Sequence, residues 1–241
     1  LSPWLYAVHK LEKIPYRINK EMLDLVIKLD KSASTRIVPV DFKDYRFCRN
    51  NLDSDYRMKR IAALDEKKKN EEELTEEEKE KRNAWWSTHF LLEEQHKRAL
   101  SRRQQFEMEL EEAIKLRDAE CFYQRVSVDY RGRMYLPAEF SYQGSDFARS
   151  VIEFAIASPM LTEGFGYLFQ HLSNMEGKTK GPVDERRDDI GTRLAPLTDI
   201  AFDPKGNFSE WSDADKPYCF LRACIELRNA AAPMVRVRMQ Q

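Results

Sequence analysis

Nowhere in its 241 residues does the chain gather about twenty consecutive apolar residues, and it does not open on a basic segment followed by an apolar one. A membrane-spanning helix and a secretory leader are therefore not expected, and a cytoplasmic location is. Cysteine is scarce: Cys48, Cys121, Cys219 and Cys224 form no CxxC pair. Neither a disulfide framework nor a thiolate zinc site is indicated, and buried free thiols are expected. The four histidines, His9, His89, His96 and His171, fall in no HExxH or other short ligand spacing, so no metal site is expected in this chain. The eight glycines make no GxxxxGK[ST], GxSxG or GxGxxG, which removes the familiar phosphate-cradling and nucleophile signatures. Nor is there an excess of charge of one sign. Forty basic residues meet 41 acidic ones, for a net charge of −1 and a pI near 6.5. Nucleic-acid contact, if made, must come from a local basic strip and not from a bulk field.

What is present suits a globular chain, since 42% of residues are hydrophobic and 11% aromatic. From Leu1 to about Leu29 the apolar spacing is helical, with Leu1, Trp4, Leu5, Val8 and Leu11 on one face, and it is broken at Pro15. Two helices meeting at a proline are predicted, and a segment upstream of Leu1 is expected. Residues 32–56 show no sustained period and read as loop. Residues 65–82 hold 15 charged residues in 18, with Thr75 and Glu78 spaced as a capping box at the start of a solvated helix. Residues 83–119 continue as a helical hairpin or one bent helix, with Trp85, Leu92, Phe106, Leu110 and Ile114 at helical intervals and Lys97, Arg98, Arg102 and Arg103 between them.

At Cys121 the composition turns aromatic and β-branched, punctuated by Gly132, Pro137 and Gly144, which predicts strand, tight turn, strand and loop. Residues 150–157 fit a strand or a helix, 163–174 a helix, and 176–210, rich in Pro, Gly and Asp, an extended connection. Residues 216–230 fit a core-facing helix with Pro217 in its first turn and Phe220, Leu221, Cys224 and Leu227 inward. The fold class is thus mainly α with a small antiparallel β element, divided into a mostly helical region at 1–120 and a second region at 121–241.

One segment carries chemistry suited to a nucleic-acid backbone: Asp129-Tyr130-Arg131-Gly132-Arg133-Met134-Tyr135, followed by Gln143-Gly144-Ser145-Asp146. Two arginines flank a glycine at a turn. The glycine admits close approach, and the guanidiniums offer planar forks that match phosphate oxygens. Tyr130 and Tyr135 add aromatic faces, and Asp129 is placed to fix an arginine. Read from the residues alone, an ordinary surface hairpin with a structural Asp–Arg pair explains the segment about as well.

The same segment resembles the DxxGR element of the phage-type and mitochondrial single-subunit RNA polymerases, which reads DWRGRVY and is followed by PQGND. Tyr16-Arg17-Ile18-Asn19-Lys20 resembles the family's WKINK helix start. Ser101-Arg102-Arg103 lies where the family has a basic helix, and Trp211 through Pro217-Tyr218-Cys219-Phe220-Leu221 resembles its W…SPFCFLAFC helix. All four blocks occur in family order. The resemblance implies a partial thumb and palm region completed by another chain, in which Arg131 and Arg133 bind template phosphates, Gly132 allows close approach, Asp129 organises the turn, and Arg102 and Arg103 are further contacts to the hybrid. Tyr130 stands where the family has Trp, retaining an aromatic face. The family's palm aspartate, nucleotide-binding lysine and second aspartate block are absent from this sequence. The resemblance therefore implies no catalytic residue here, Mg²⁺ held by a large catalytic partner subunit, DNA template, RNA product and nucleoside triphosphates as ligands of the complex, and accessory proteins for promoter delivery. Two explanations of the missing blocks remain, a truncated fragment of a single-subunit enzyme or a natural small subunit, and the chain resembles the small subunit of a two-polypeptide phage enzyme. The alternatives are a stand-alone helical nucleic-acid-binding module and a scaffold built on 65–119.

Overall fold

In chain order the computed structural model contains α1 (Pro3–Glu12), β1 (Tyr16–Ile18), α2 (Lys20–Lys31), α3 (Glu76–Leu116), β2 (Ser127–Val128), β3 (Met134–Tyr135), α4 (Asp146–Val151) and β4 (Ile152–Phe154). After these come α5 (Thr162–Glu176), α6 (Val183–Thr192), α7 (Leu194–Phe202), α8 (Phe208–Ser212) and α9 (Pro217–Arg238). It describes residues 3–31, 62–68, 75–157 and 162–238, so the loop expected at 32–56 lies outside the described residues. The chain divides into two units, Leu1–Ser32 with Met108–Gln241, and Ala33–Glu107. No helix among the described residues is long and apolar enough to cross a membrane.

The two N-terminal helices form, but they do not meet at Pro15. The three residues after the proline make a strand. Tyr16 and Ile18 are buried while Arg17 points out, the two-residue alternation of a strand, which three residues cannot display against a helical background. β1 pairs antiparallel with β4, Tyr16 opposite Phe154 and Ile18 opposite Ile152. On its other edge Tyr16 exchanges two 2.8 Å backbone hydrogen bonds with Phe122. Asn19 then caps α2, its side-chain oxygen accepting the Met22 N–H at 2.8 Å. Of the predicted α1 face, Val8 is buried but Trp4 is more than half exposed.

The larger unit is organised around α9, which packs on α7, α5, α4 and α8. Phe220, Leu221, Cys224 and Leu227 are all buried on it as the spacing predicts, with Trp211 sealed beneath. Cys219 and Cys224 are buried free thiols, and burial pushes the Cys224 thiol up to about 12. Cys121 is only half-buried.

The expected extended connection at 176–210 is instead three short helices. Pro182 and Pro196 lie at or within the first turns of α6 and α7, where a missing N–H costs nothing, and Asp184 and Glu185 sit at the favourable end of the α6 dipole. Residues read as breakers are helix starts. Arg193 forks onto Glu176 at 2.9 and 2.8 Å, tying α5 to the α6–α7 junction. The change to sheet expected at Cys121 amounts to two two-stranded ribbons, and residues 150–157 divide between the end of α4 and β4.

In the other unit the capping box is present. The Thr75 hydroxyl accepts the Glu78 N–H at 3.3 Å, and Glu78 returns a bond to the Thr75 N–H at 3.1 Å. The helix it starts runs 41 residues without interruption, so the hairpin alternative is excluded. Its buried line passes through Phe106, Glu109 and Ala113, and Ile114 is half exposed.

Glu153 joins three elements. Its carboxylate accepts from Arg17 Nε and Asn19 Nδ2, each at 2.7 Å, and from Arg222 on α9 at 2.6 Å. Burial alone would raise its carboxyl, but the bonds from Asn19, Arg222 and Arg17 outweigh it and hold the group below the ordinary 4.5. Stability from this depressed group is fully present above that ordinary value and is lost as pH falls through the folded one. Glu153→Gln should therefore cost about 2 kcal/mol at neutral pH in urea denaturation. The deficit should shrink when the titration is repeated near pH ~3.5; an equal deficit at both pH values would show that charge is not the cause.

Candidate nucleic-acid interface

β2 and β3 pair Ser127 with Tyr135 and Val128 with Met134, leaving Asp129–Arg133 as the turn. The Gly132 N–H bonds the Asp129 carbonyl and the Asp129 N–H bonds the Arg133 carbonyl, each at 3.0 Å. Gly132 has φ +79°, a left-handed conformation that side chains strain. A Cβ added there would meet nothing within 4 Å, so backbone conformation and not crowding calls for glycine.

Asp129 was expected to fix an arginine side chain. Its carboxylate instead holds backbone: Oδ1 accepts the Arg131 N–H at 2.9 Å and the Arg133 N–H at 2.8 Å, while Oδ2 accepts the Tyr135 hydroxyl at 3.4 Å. An Asx-type clamp of this kind preorganises the loop and spends the carboxylate on backbone, so that neither guanidinium has an ion-pair partner among the described residues. Arg131 lies over the Tyr130 ring, 5.1 Å from its centroid, with Nε donating to the Tyr130 hydroxyl at 2.8 Å. Tyr130 is 88% exposed. The Arg133 guanidinium makes no hydrogen bond or ion pair among the described residues and is exposed.

The turn thus brings together Asp129, Tyr130, Arg131, Gly132, Arg133 and Tyr135. Arg102 and Arg103 belong to the other unit. Arg102 is exposed, with Nε to the Arg98 carbonyl at 3.4 Å; Arg103 is occupied by Glu107 at 2.6 Å and lies over Phe106.

Downstream, Gln143 Oε1 accepts the Leu136 N–H at 3.3 Å, joining the ribbon to the loop that follows it. Ser145 caps α4 by accepting the Ala148 N–H at 3.1 Å and donates to buried Glu109. Asp146 reaches across to α9, accepting the Tyr218 and Cys219 N–H groups at 2.7 and 3.3 Å. The sequence reading assigned no role to Asp146 or Glu109, because their partners lie far along the chain. Among the described residues no group of three or more His, Cys, Asp or Glu is arranged to hold a metal ion.

Removing the clamp should loosen the turn without unfolding the chain. Asp129→Ala is expected to raise amide hydrogen exchange at Arg131 and Arg133 about tenfold, for two hydrogen bonds to a charged group worth about 1.5 kcal/mol between them. Unchanged exchange would mean the turn holds itself.

Residues 158–236 match the family model of DNA-dependent RNA polymerase. The chain is 34% identical over 130 residues to the DNA-directed RNA polymerase of Enterobacteria phage T3, covering 54% of this chain and 15% of that protein. It is 32% identical over 126 residues to T7 RNA polymerase of Escherichia phage T7, covering 52% and 14%. To the chloroplastic/mitochondrial DNA-directed RNA polymerase 2 of Arabidopsis thaliana it is 35% identical over 133 residues, covering 54% and 13%. With matches to phage and organellar enzymes alike, about half of this chain is homologous to a region of the phage-type single-subunit RNA polymerases, and it spans about 15% of the length of those relatives.

Proposed function

We propose that the chain is the non-catalytic front part of a split phage-type RNA polymerase. It grips the template strand of the RNA–DNA hybrid through the Asp129–Tyr135 turn, while a large partner polypeptide performs nucleotidyl transfer. The observation that carries this reading is a turn whose carboxylate is spent on backbone N–H groups, so that Arg133 is without a carboxylate partner among the described residues and Arg131 stands on Tyr130. Guanidinium forks on phosphates position a duplex without reading its sequence, as a polymerase moving along any template requires. Arg102 is an exposed further donor, and Arg103 would have to leave Glu107 to serve.

Two-metal transfer needs carboxylates set around Mg²⁺, and this role is assigned to the partner, together with the site for nucleoside triphosphates. Promoter delivery falls to accessory proteins, and the assembly works in the cytoplasm of a phage-infected host.

Template-directed extension with Mg²⁺ and nucleoside triphosphates tests the proposal, using the chain alone, the co-purified partner alone and the mixture. Only the mixture should extend. Arg133→Ala should lower extension about tenfold, the loss of one charge-assisted contact, while leaving assembly intact by gel filtration. Undiminished extension by Arg133→Ala at raised salt would remove the turn from the template grip.

A further inference from the structure

The segment that leads into the turn keeps a two-residue alternation upstream of β2. Tyr123, Arg125 and Ser127 are exposed, whereas Gln124 is buried and Val126 and Val128 are half-buried. Its inward side is fastened at three points. Phe122 exchanges two 2.8 Å backbone hydrogen bonds with Tyr16, Gln124 Oε1 accepts the Tyr142 N–H at 3.4 Å, and the Val126 N–H bonds Glu12 of α1 at 3.0 Å. Successive side chains of an extended chain point to opposite sides. Tyr123, Arg125 and Ser127 are therefore presented by a backbone that is held in place before any ligand arrives.

Ser127 stands opposite Tyr135, which puts Tyr135, and Arg133 two residues before it, on the same face. Along its length that face carries Tyr123, Arg125, Tyr135 and Arg133, aromatic and cation in alternation. Both tyrosines are exposed. Arg125, like Arg133, is exposed and makes no hydrogen bond or ion pair among the described residues. From Arg125 to Asp129, which lies across from Arg133, four residues of extended chain span ~13 Å. One phosphate group does not bridge that length, so the two guanidiniums fit different phosphates of one strand. Carboxylates mark where the face ends: Glu111, Glu112 and Glu139 line a cavity beside Tyr123 and Arg125. Glu111 and Glu112 share Lys115, at 3.0 and 3.6 Å.

We infer that this face takes an unpaired stretch of nucleic-acid strand, with Arg125 as a second phosphate anchor beyond the turn and Tyr123 and Tyr135 as rings on which bases stack. A duplex keeps the faces of its bases stacked inside, whereas an unpaired strand can lay them on exposed rings set between cations. Such stacking tolerates any sequence, because every base has a π-face. The inference rests on the nucleic-acid reading of the Asp129–Tyr135 turn and adds to it two residues outside that turn.

Fluorescence anisotropy of the whole chain tests it with two labelled probes, an oligothymidylate and a blunt RNA–DNA hybrid of the same length. Arg125→Gln should weaken oligothymidylate binding about tenfold. It should also flatten the slope of log affinity against log salt by roughly 0.7, one phosphate contact on a single strand, and Arg125→Lys should restore that slope. Tyr123→Leu should weaken oligothymidylate binding about tenfold and leave hybrid binding unchanged. Lys205→Gln, an exposed charge between α7 and α8, should change neither. Undiminished binding by Arg125→Gln beside a loss on Arg133→Ala would overturn this inference and leave the grip of the turn standing. No loss from either variant would sink both. An equal loss from Lys205→Gln would reduce Arg125 to diffuse charge attraction, and a Tyr123→Leu variant that weakens both probes alike, or neither, would rule out stacking and with it the unpaired strand.

Discussion

The Asp146 carboxylate lies where the polar middle of the chain meets the helix around which the larger unit is built. Its two oxygens take the Tyr218 and Cys219 N–H groups, donors that an uncapped helix start leaves unsatisfied, and they put negative charge at the end of α9 that favours it. The neighbouring Ser145 starts α4 and is bound in turn by Glu109 at the foot of the long helix. A few residues on, Glu153 bonds Arg222, one helical turn beyond Tyr218. The α4–β4 segment is thus fastened to α9 at both ends, with Phe147, Ala148 and Val151 buried along it. β1 depends on this arrangement, since its ladder partner is β4.

The Asp129–Arg133 turn is held differently. Its shape is local, set by Asp129 and by the positive φ of Gly132, and its ties to the larger frame include Gln143 accepting the Leu136 N–H and Glu12 of α1 accepting the Val126 N–H. Local preorganisation suits a phosphate ligand, because guanidiniums fixed before binding lose little freedom when the ligand arrives. The two arginines are not equivalent. Arg131 is braced against Tyr130 and presents a planar cation on an aromatic face, whereas the Arg133 guanidinium has no hydrogen-bond or ion-pair partner among the described residues. The first is suited to hold one geometry and the second to reach for it.

Features set by neighbours in sequence were legible before the structure: the Thr75–Glu78 capping box, Pro217 at the start of α9 with its buried face, and the tight turn at Gly132. What was not legible depends on partners far away. β1 exists because residues 152–154 and Phe122 come to it, and nothing within Tyr16–Ile18 announces them. The helices at 183–202 were hidden because proline and acidic residues mark a helix start as readily as a loop. At the site, the glycine and arginines could be singled out by type, but the use of the Asp129 carboxylate on backbone could not, since an Asp beside two arginines equally suggests an ion pair.

Charge balance connects these observations to function. The chain is nearly neutral by composition, and many of its guanidiniums face carboxylates: Arg17 and Arg222 on Glu153, Arg117 on Asp24, Arg193 on Glu176, Arg228 on Glu21. Those arginines hold the fold and are unavailable to phosphate. Counterion release scales with the phosphates neutralised, at roughly 0.9 per contact on B-form DNA, so on the proposed reading the Arg131 and Arg133 guanidiniums supply only a shallow electrostatic grip. A chain built this way holds a hybrid firmly only when other basic surface lies along the same duplex. On the split-polymerase reading proposed above, that further surface belongs to the partner polypeptide.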